Sequence, residues 1–430
     1  MKSKTLLLLV AMFVFGTINL PLAAQTAPKT YAQHLVDSVL VKHPEVLVLA
    51  MHVTPPHSSE NVIIASNIGR IGKQADEDDL RVIKTGKPNL AVNKTGDRFE
   101  VELPLQDENR TTIGALGVVF PYKIGDDKFM RHRQAEQIRD ELHRRIIDVE
   151  NLVEAFPYDP QFSSNTYAQK LIDDAMAKHP ELLILAMHVT PPGGKDNVII
   201  ASNFGRIGKK SDEGDLMVVK TGKHSMDVSK NGDQFRGQLV LQDVSGEPIG
   251  SLAIVMPYKA GDDKVLLLKQ AEQIRDEARR RASNPGNLLE PYQFVADAPP
   301  SNTYAQKLVD ETMAKHPELL ILVMHVTLPK VPDNVILGSN IGRIGKKADE
   351  DDMRVIETGK TNLEVNSTGN RFEAELQLHD RSGRTIGALG TVFAYHAGDD
   401  KAHFQKLGET IRAEIEERIP SVAKLVEPAR

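Results

Sequence analysis

From Tyr31, apolar residues fall at helical spacing (Leu35, Val36, Val39, Leu40) until the proline of "HPE" ends the run, and this predicts an N-terminal helix. "VLVLAMHV" then reads as a buried strand, and "NVIIASN" as its partner across the loop "TPPHSSE". "DDLRVIKTG" predicts a short helix that Gly86 terminates. In "RFEVELPLQD", Phe99, Val101, Leu103 and Leu105 alternate with Arg98, Glu100, Glu102 and Pro104, which predicts a strand with one exposed face. A turn at Asp107 leads into "TIGALGVVFPY", apolar on both faces as a central strand is. Within it, Gly114 and Gly117 predict a close helix approach or room for a ligand. "GDDKFMRHRQAEQIRDELHRRI" starts with capping aspartates and repeats apolar groups at Ala135, Ile138, Leu142 and Ile146, giving an amphipathic closing helix.

The whole pattern occurs three times. "TYAQHLVDSVLVKHPEVLVLAMHVTPP" from Thr30 returns from Thr166 and from Thr303 with few changes. A repeat this long describes whole domains in tandem rather than solenoid turns, so units are expected over 30–147, 166–282 and 303–419. "EAFPYDPQFSSN" and "NPGNLLEPYQFVADAPPSN" read as the short linkers between them.

The first 24 residues differ in kind: Lys2 and Lys4 precede "LLLLVAMFVF", Pro21 and the small pair Ala23–Ala24. This is the layout of a cleaved secretory signal, and it predicts a periplasmic or secreted product with no stable membrane insertion once the signal is removed. The 430 residues include no cysteine, so no disulfide or thiolate metal site is expected and the fold rests on apolar cores. With 59 acidic against 53 basic side chains, the chain presents no broad positive field, and nucleic acid is not an expected partner.

One segment concentrates the candidate chemistry. "SNIGRIGKQADEDD" from Ser66 recurs as "SNFGRIGKKSDEGD" from Ser202 and "SNIGRIGKKADEDD" from Ser339. It is not a phosphate loop, since the first glycine of that motif would fall on Asn67 and Gln74 stands where Ser or Thr is needed. Two readings stay open: glycines that turn the chain while the cations face water, or a clasp of Arg70 and Lys73, Arg206 and Lys209, Arg343 and Lys346 over a carboxylate at a pocket mouth. The acids that follow suit a helix N-terminus better than an EF-hand, whose ligands are spaced alternately. His52, His188 and His325 stand within apolar strands, as hydrogen-bonded structural residues or as donors to a ligand. Tyr122, Tyr258 and Tyr395 precede the closing helix, either packed or with the hydroxyl turned inward. No nucleophile with a base, paired carboxylates or metal cluster emerges from the pattern, and neither enzyme activity nor a cofactor is expected.

The order of motifs, with a strand ending "IIASN", the "IGK" step, a helix ending "TGK" and "LxD" before "IGALGVV", resembles the single Cache domain, an extracytoplasmic relative of PAS folds. The resemblance implies an α+β class: three tandem PAS/Cache-like domains, each an antiparallel sheet flanked by an N-terminal helix and a long C-terminal helix, cradling a small-molecule pocket. It implies an exported sensor-type protein without an output domain, binding a small organic anion such as a carboxylate and passing its signal to another protein. The alternative is a scaffold without a ligand pocket, whose partner is an envelope protein.

Overall fold

The computed structural model describes residues 29–292, 294, 302–328 and 333–429; the expected signal segment lies outside the described residues. The first unit runs α1 (Tyr31–Lys42), β1 (Val48–Val53), β2 (Val62–Ser66), α2 (Glu77–Thr85), β3 (Asn89–Val92), β4 (Arg98–Gln106), β5 (Thr112–Pro121), α3 (Lys128–His143) and α4 (Val149–Val153). The second repeats it as α5 (Tyr167–Lys178), β6 (Ile184–Val189), β7 (Val198–Ser202), α6 (Glu213–Thr221), β8 (Ser225–Val228), β9 (Gln234–Gln242), β10 (Pro248–Pro257), α7 (Lys264–Arg279) and α8 (Pro285–Leu289). The third comprises α9 (Tyr304–Lys315), β11 (Leu319–Thr327), β12 (Asn334–Ser339), α10 (Glu350–Thr358), β13 (Asn362–Val365), β14 (Arg371–His379), β15 (Thr385–Ala394), α11 (Lys401–Glu416) and α12 (Val422–Leu425). No helix among the described residues is long and apolar enough to cross a membrane.

Each unit has its own five-stranded sheet, ordered β2-β1-β5-β4-β3 in the first and equivalently in the others, with every pairing antiparallel. The α+β class with antiparallel sheets and flanking helices is therefore the observed one. The first and last long helices pack on one face of the sheet, where Leu35, Leu49, Met51, Phe99, Leu103, Ile138 and Leu142 form a closed core. The second and third units repeat this core separately.

The opposite face is covered by the short helix α2, which packs on β4 and β5. For this reason β4 departs from the expected half-exposed strand, with Glu102 and Pro104 buried as well as the apolar set. Asp76 caps α2 and exchanges hydrogen bonds with Asp79 in a capping box, and Gly86 ends the helix in the left-handed conformation, which the acids and the glycine of the sequence anticipate. Two elements go beyond the sequence pattern, namely the edge strand β3 and the five-residue α4.

Gly114 does not serve helix packing. A Cβ there would stand 2.0 Å from the His52 carbonyl oxygen, and the copies Gly250 and Gly387 face the same constraint at 2.1 and 1.8 Å. The residue is fixed by close approach of two strand backbones. Gly117, by contrast, has open space beside it.

Residues 148–156 complete the first unit. Asp148 caps α4, the Tyr31 amide donates to the Glu154 carbonyl at 2.9 Å, and Thr30 bridges Ala155. Thr166 with Pro291 and Thr303 with Pro428 repeat the bridge. The beginning and end of every unit thus meet at one pole, here termed the rear; the loop after β2 and the α2-covered face of the sheet form the front.

Candidate functional site

The repeated glycine-rich loop turns at consecutive left-handed residues, Gly69 and Arg70 at φ 73° and 64°, and the same holds for Gly205–Arg206 and Gly342–Arg343. That conformation throws the arginine away from its own sheet. In the second unit Arg206 reaches back to the first, its Nε 2.7 Å from Glu154 Oε2, with Lys209 at 3.4 Å from Glu154 Oε1. In the third, Arg343 Nε lies 2.8 Å from Glu290 Oε2 and Lys346 3.8 Å from Oε1. The anion held by these cations is thus a carboxylate of the preceding unit.

The rest of each loop docks with it. The Asn203 side-chain amide donates to the Leu183 carbonyl of its own unit at 2.9 Å and to Arg144 of the preceding one at 2.7 Å. Asn340 repeats this with Leu320 and Arg280, both at 3.0 Å. In return, Asn151 and Asn287 donate to the carbonyls of Phe204 and Ile341 at 2.9 and 3.0 Å. The ring of Tyr167 lies against Gly342, where a Cβ would stand 2.5 Å from it, and its hydroxyl donates to the Asn340 carbonyl at 3.2 Å. Burial pushes the Tyr31 and Tyr167 phenols up to about 12, so both remain protonated donors. Val244 from the β9–β10 turn closes the second junction against Ile321, Ile341 and Val392, and Arg371 Nη2 donates to Asp243 Oδ2 at 2.6 Å between buried side chains. Arg70 and Lys73 have no such counterpart among the described residues and are exposed.

His52, His188 and His325 all point to the front, under the short helix. In each unit the β1–β2 pairing slips at this histidine, between Met51 and His52 and at the equivalent pairs; such a slip re-aims side chains locally. His52 Nδ1 stands 3.2 Å from Asp79 Oδ2, and His188 Nδ1 3.1 Å from Asp215 Oδ2 and 2.9 Å from Ser211 Oγ. His325 turns its Nε2 to Asp352 Oδ1 at 3.4 Å. Burial lowers the His52 pKa and lowers that of His325 to about 4.

What lies beside the histidine differs between units. Units 1 and 3 place Glu102 and Glu375 there, each pushed by burial to about 7, and Asp79 and Asp352 are also raised, the latter to about 6. Glu373 in β14 rises to about 7 through burial and then through Asp352. Unit 2 has Arg236 and Gln238 at the two glutamate positions. There burial works against Asp215, but His188, the Asp212 backbone and Gln238 together hold its carboxyl below the usual range. In unit 1, Asp76, Asp79 and Glu102 bring carboxylate oxygens within 4.8 Å of one another.

Tyr122, Tyr258 and Tyr395 do not join this cluster. Tyr122 packs on Phe99 at the end of the core face, with Lys128 5.5 Å above its ring. Lys264 and Lys401 cover the other two at 5.7 and 5.9 Å. A cleft of about 530 Å³ opens over the front of unit 3, between its sheet and the rear of unit 2, with Asp243, Glu247, Arg343, Arg371 and Glu373 in its walls. A second, of about 1070 Å³, lies between α5 and α9. The sequence reading missed Glu154, Glu290 and the two asparagines before them. Their signal was the recurrence of "NLVE" and "NLLE" at the same distance after the Thr-Tyr pair that opens each unit.

No family model matches the chain, and no curated protein is similar to it at a significant level. Among solved structures, the repressor BlcR of Agobacterium tumefaciens is similar at 9% identity, over 42% of this chain and 78% of that one, with a TM-score of 0.22. The periplasmic domain of RsbU from Chlamydia trachomatis gives 6% identity over 57% and 79%, with a TM-score of 0.18. An extracellular ligand binding receptor from Desulfohalobium retbaense gives 11% identity over 53% of this chain, with a TM-score of 0.17, and the match spans a third (33%) of that receptor. All three likenesses are distant.

Proposed function

We propose that the chain is an exported small-molecule-binding protein of three Cache-like modules, without catalytic activity of its own, and that the junction of units 2 and 3 houses the ligand. The observation that carries this reading is the cleft of about 530 Å³ over the unit 3 sheet, a volume within the range of about 300–1,000 Å³ typical of ligand sites. Its guanidinium groups are engaged, Arg343 by Glu290 and Arg371 by Asp243, whereas Glu247 and Glu373 line the cleft and form no ion pair among the described residues. The charge left over is negative, borne by Glu247 and, above about pH 7, by Glu373. A ligand bearing an ammonium group therefore fits this cleft, in place of the organic anion expected from the arginine–lysine pairs.

The test is calorimetric titration of the chain with small amines, amino acids and carboxylates, repeated on Glu373→Gln. Amines are expected to bind, with an affinity about tenfold lower in the variant, or about 1.4 kcal/mol. Binding of carboxylates alone, or of no class, would exclude the reading. A scaffold is the second reading, favoured by a specific observation: the front loop of unit 1 exposes Ile68 and Ile71, whose copies are interface residues in the other units.

A further inference from the structure

We propose that the front of unit 1 docks on the rear of unit 3 of a second copy, so that the chain associates head to tail. The contact would reproduce the junction already formed twice within the molecule. Each half of it is on display.

At the front, Asn67, Ile68, Gly69, Arg70, Ile71 and Lys73 are identical to the six loop residues with which unit 3 grips unit 2. Arg98 occupies the place of Arg371, which bonds Asp243 across that junction. Ile68 and Ile71 are 45% and 58% exposed, whereas Ile341 and Ile344 are 2% and 3% exposed. At the rear, Tyr304, Asp380, Ser382 and Glu427 repeat Tyr167, Asp243, Ser245 and Glu290. The charges complement one another: Arg70 and Lys73 face Glu427, and Arg98 faces Asp380. A rear that fits a front, and not itself, makes a heterologous contact, one that closes into a ring or runs on as a filament.

Three positions of the terminal rear bear on the contact and differ, and all weaken it. Arg384 replaces Glu247, and its Nη2 lies 2.9 Å from Asp380 Oδ2, competing with Arg98. Lys424 replaces the asparagine that caps the incoming loop, and its Nζ lies 2.6 Å from Glu427 Oε2, competing with Arg70. Arg381 replaces Val244, and its Nε donates at 3.0 Å to the Glu417 carbonyl, the counterpart of the carbonyl that receives the loop asparagine. The intermolecular junction is accordingly weaker than the two covalently linked ones, which gain from high effective concentration, and association rises with protein concentration.

The test is sedimentation equilibrium on the chain freed of residues 1–24, so that the apolar leader drives nothing. Average mass is expected to climb with concentration, and Lys424→Asn to shift the climb to a concentration about tenfold lower. Ile71→Asp, at an exposed position, should stay monomeric with its melting temperature and circular dichroism unchanged. An equimolar mixture of Ile71→Asp with Glu427→Arg should stop at a dimer of one each, because each retains the half that the other has lost. The proposal is overturned if the parent and Lys424→Asn both remain monomeric, if Ile71→Asp associates as the parent does, or if the mixed variants fail to pair.

Discussion

The loop from Ser66 to Lys73 and the loop from Ser339 to Lys346 have the same eight residues and the same left-handed turn. One lies open and the other is closed over by a tyrosine ring, an asparagine amide and a carboxylate of the preceding unit. The difference teaches that the motif is half of a joint. Its glycines and cations acquire a role from what stands opposite, and position in the array decides which copy has a partner.

The largest expected effect separates the copies at one glycine. Gly342→Ala pushes a methyl group into the Tyr167 ring and should destabilise the unit 2–3 junction by roughly 3 kcal/mol through overpacking and backbone strain. Gly69→Ala, with nothing near its Cβ, should cost about 1 kcal/mol, the left-handed strain alone. Hydrogen exchange in β11 and β1, respectively, measures both, and equal effects would break the comparison.

Next comes the carboxylate. Glu290→Ala leaves Arg343 and Lys346 without their partner and should cost about 2 kcal/mol of junction stability, given the half-buried setting. Denaturant melts would show unit 3 unfolding separately from unit 2. Arg70→Ala, by contrast, should leave the melt of the monomer unchanged.

The acid-lined fronts sharpen the comparison in another direction. Glu373 and Glu375 have folded pKa values raised to about 7, so the folded state binds more protons than the unfolded one, and their unfavourable contribution grows as pH rises from about 4.5 through 7. Glu373→Gln with Glu375→Gln should therefore stabilise unit 3 by roughly 1–2 kcal/mol at pH 8 and leave it nearly unchanged at pH 4.5. His325, lowered to about 4, acts oppositely, removing stability as pH falls from 6.5 through 4. Unit 2 lacks both glutamates, and its melt should show no corresponding gain at low pH. Melting temperatures against pH for parent and variant test this.

The smallest effect is at the β4–β5 turn. Arg110 sits at φ 62° where Gly246 and Gly383 occupy the other two copies. Arg110→Gly should raise the stability of unit 1 by about 1 kcal/mol, read from its thermal melt.

Much of the fold was legible because periodicity reports burial directly. The helix from Tyr31, the alternating β4 and the closing helix all follow from spacing alone. The edge strand β3 was not, since its four residues carry one short alternation, half exposed on the sheet margin. Alternation alone turns Glu102 towards solvent, because nothing in β4 announces that α2 lies over it. At the candidate site, the histidines and the capping acids were readable as positions, whereas the Asp79–His52 approach depends on a fold that lays α2 across β4 and β5 and so brings its first turn to the His52 side chain. The joints were the least legible part. Proline and asparagine in residues 154–165 look like slack chain, while Glu154 at its start and Asn151 just before it meet a loop some fifty residues later. Apolar residues three apart in an otherwise polar loop, Phe204 with Ile207 and Ile341 with Ile344, are the available clue.

Because each unit brings its first and last residues together at the rear, the array is indifferent to its own length. Removal of the middle unit would leave the rear of the first, with Tyr31, Asn151 and Glu154, opposite a front that it already fits, and duplication of a unit would add a joint without requiring a new surface. Proteins with two, four or more such units are thus accessible by recombination alone, with the ends of the series the only places where sequence must diverge.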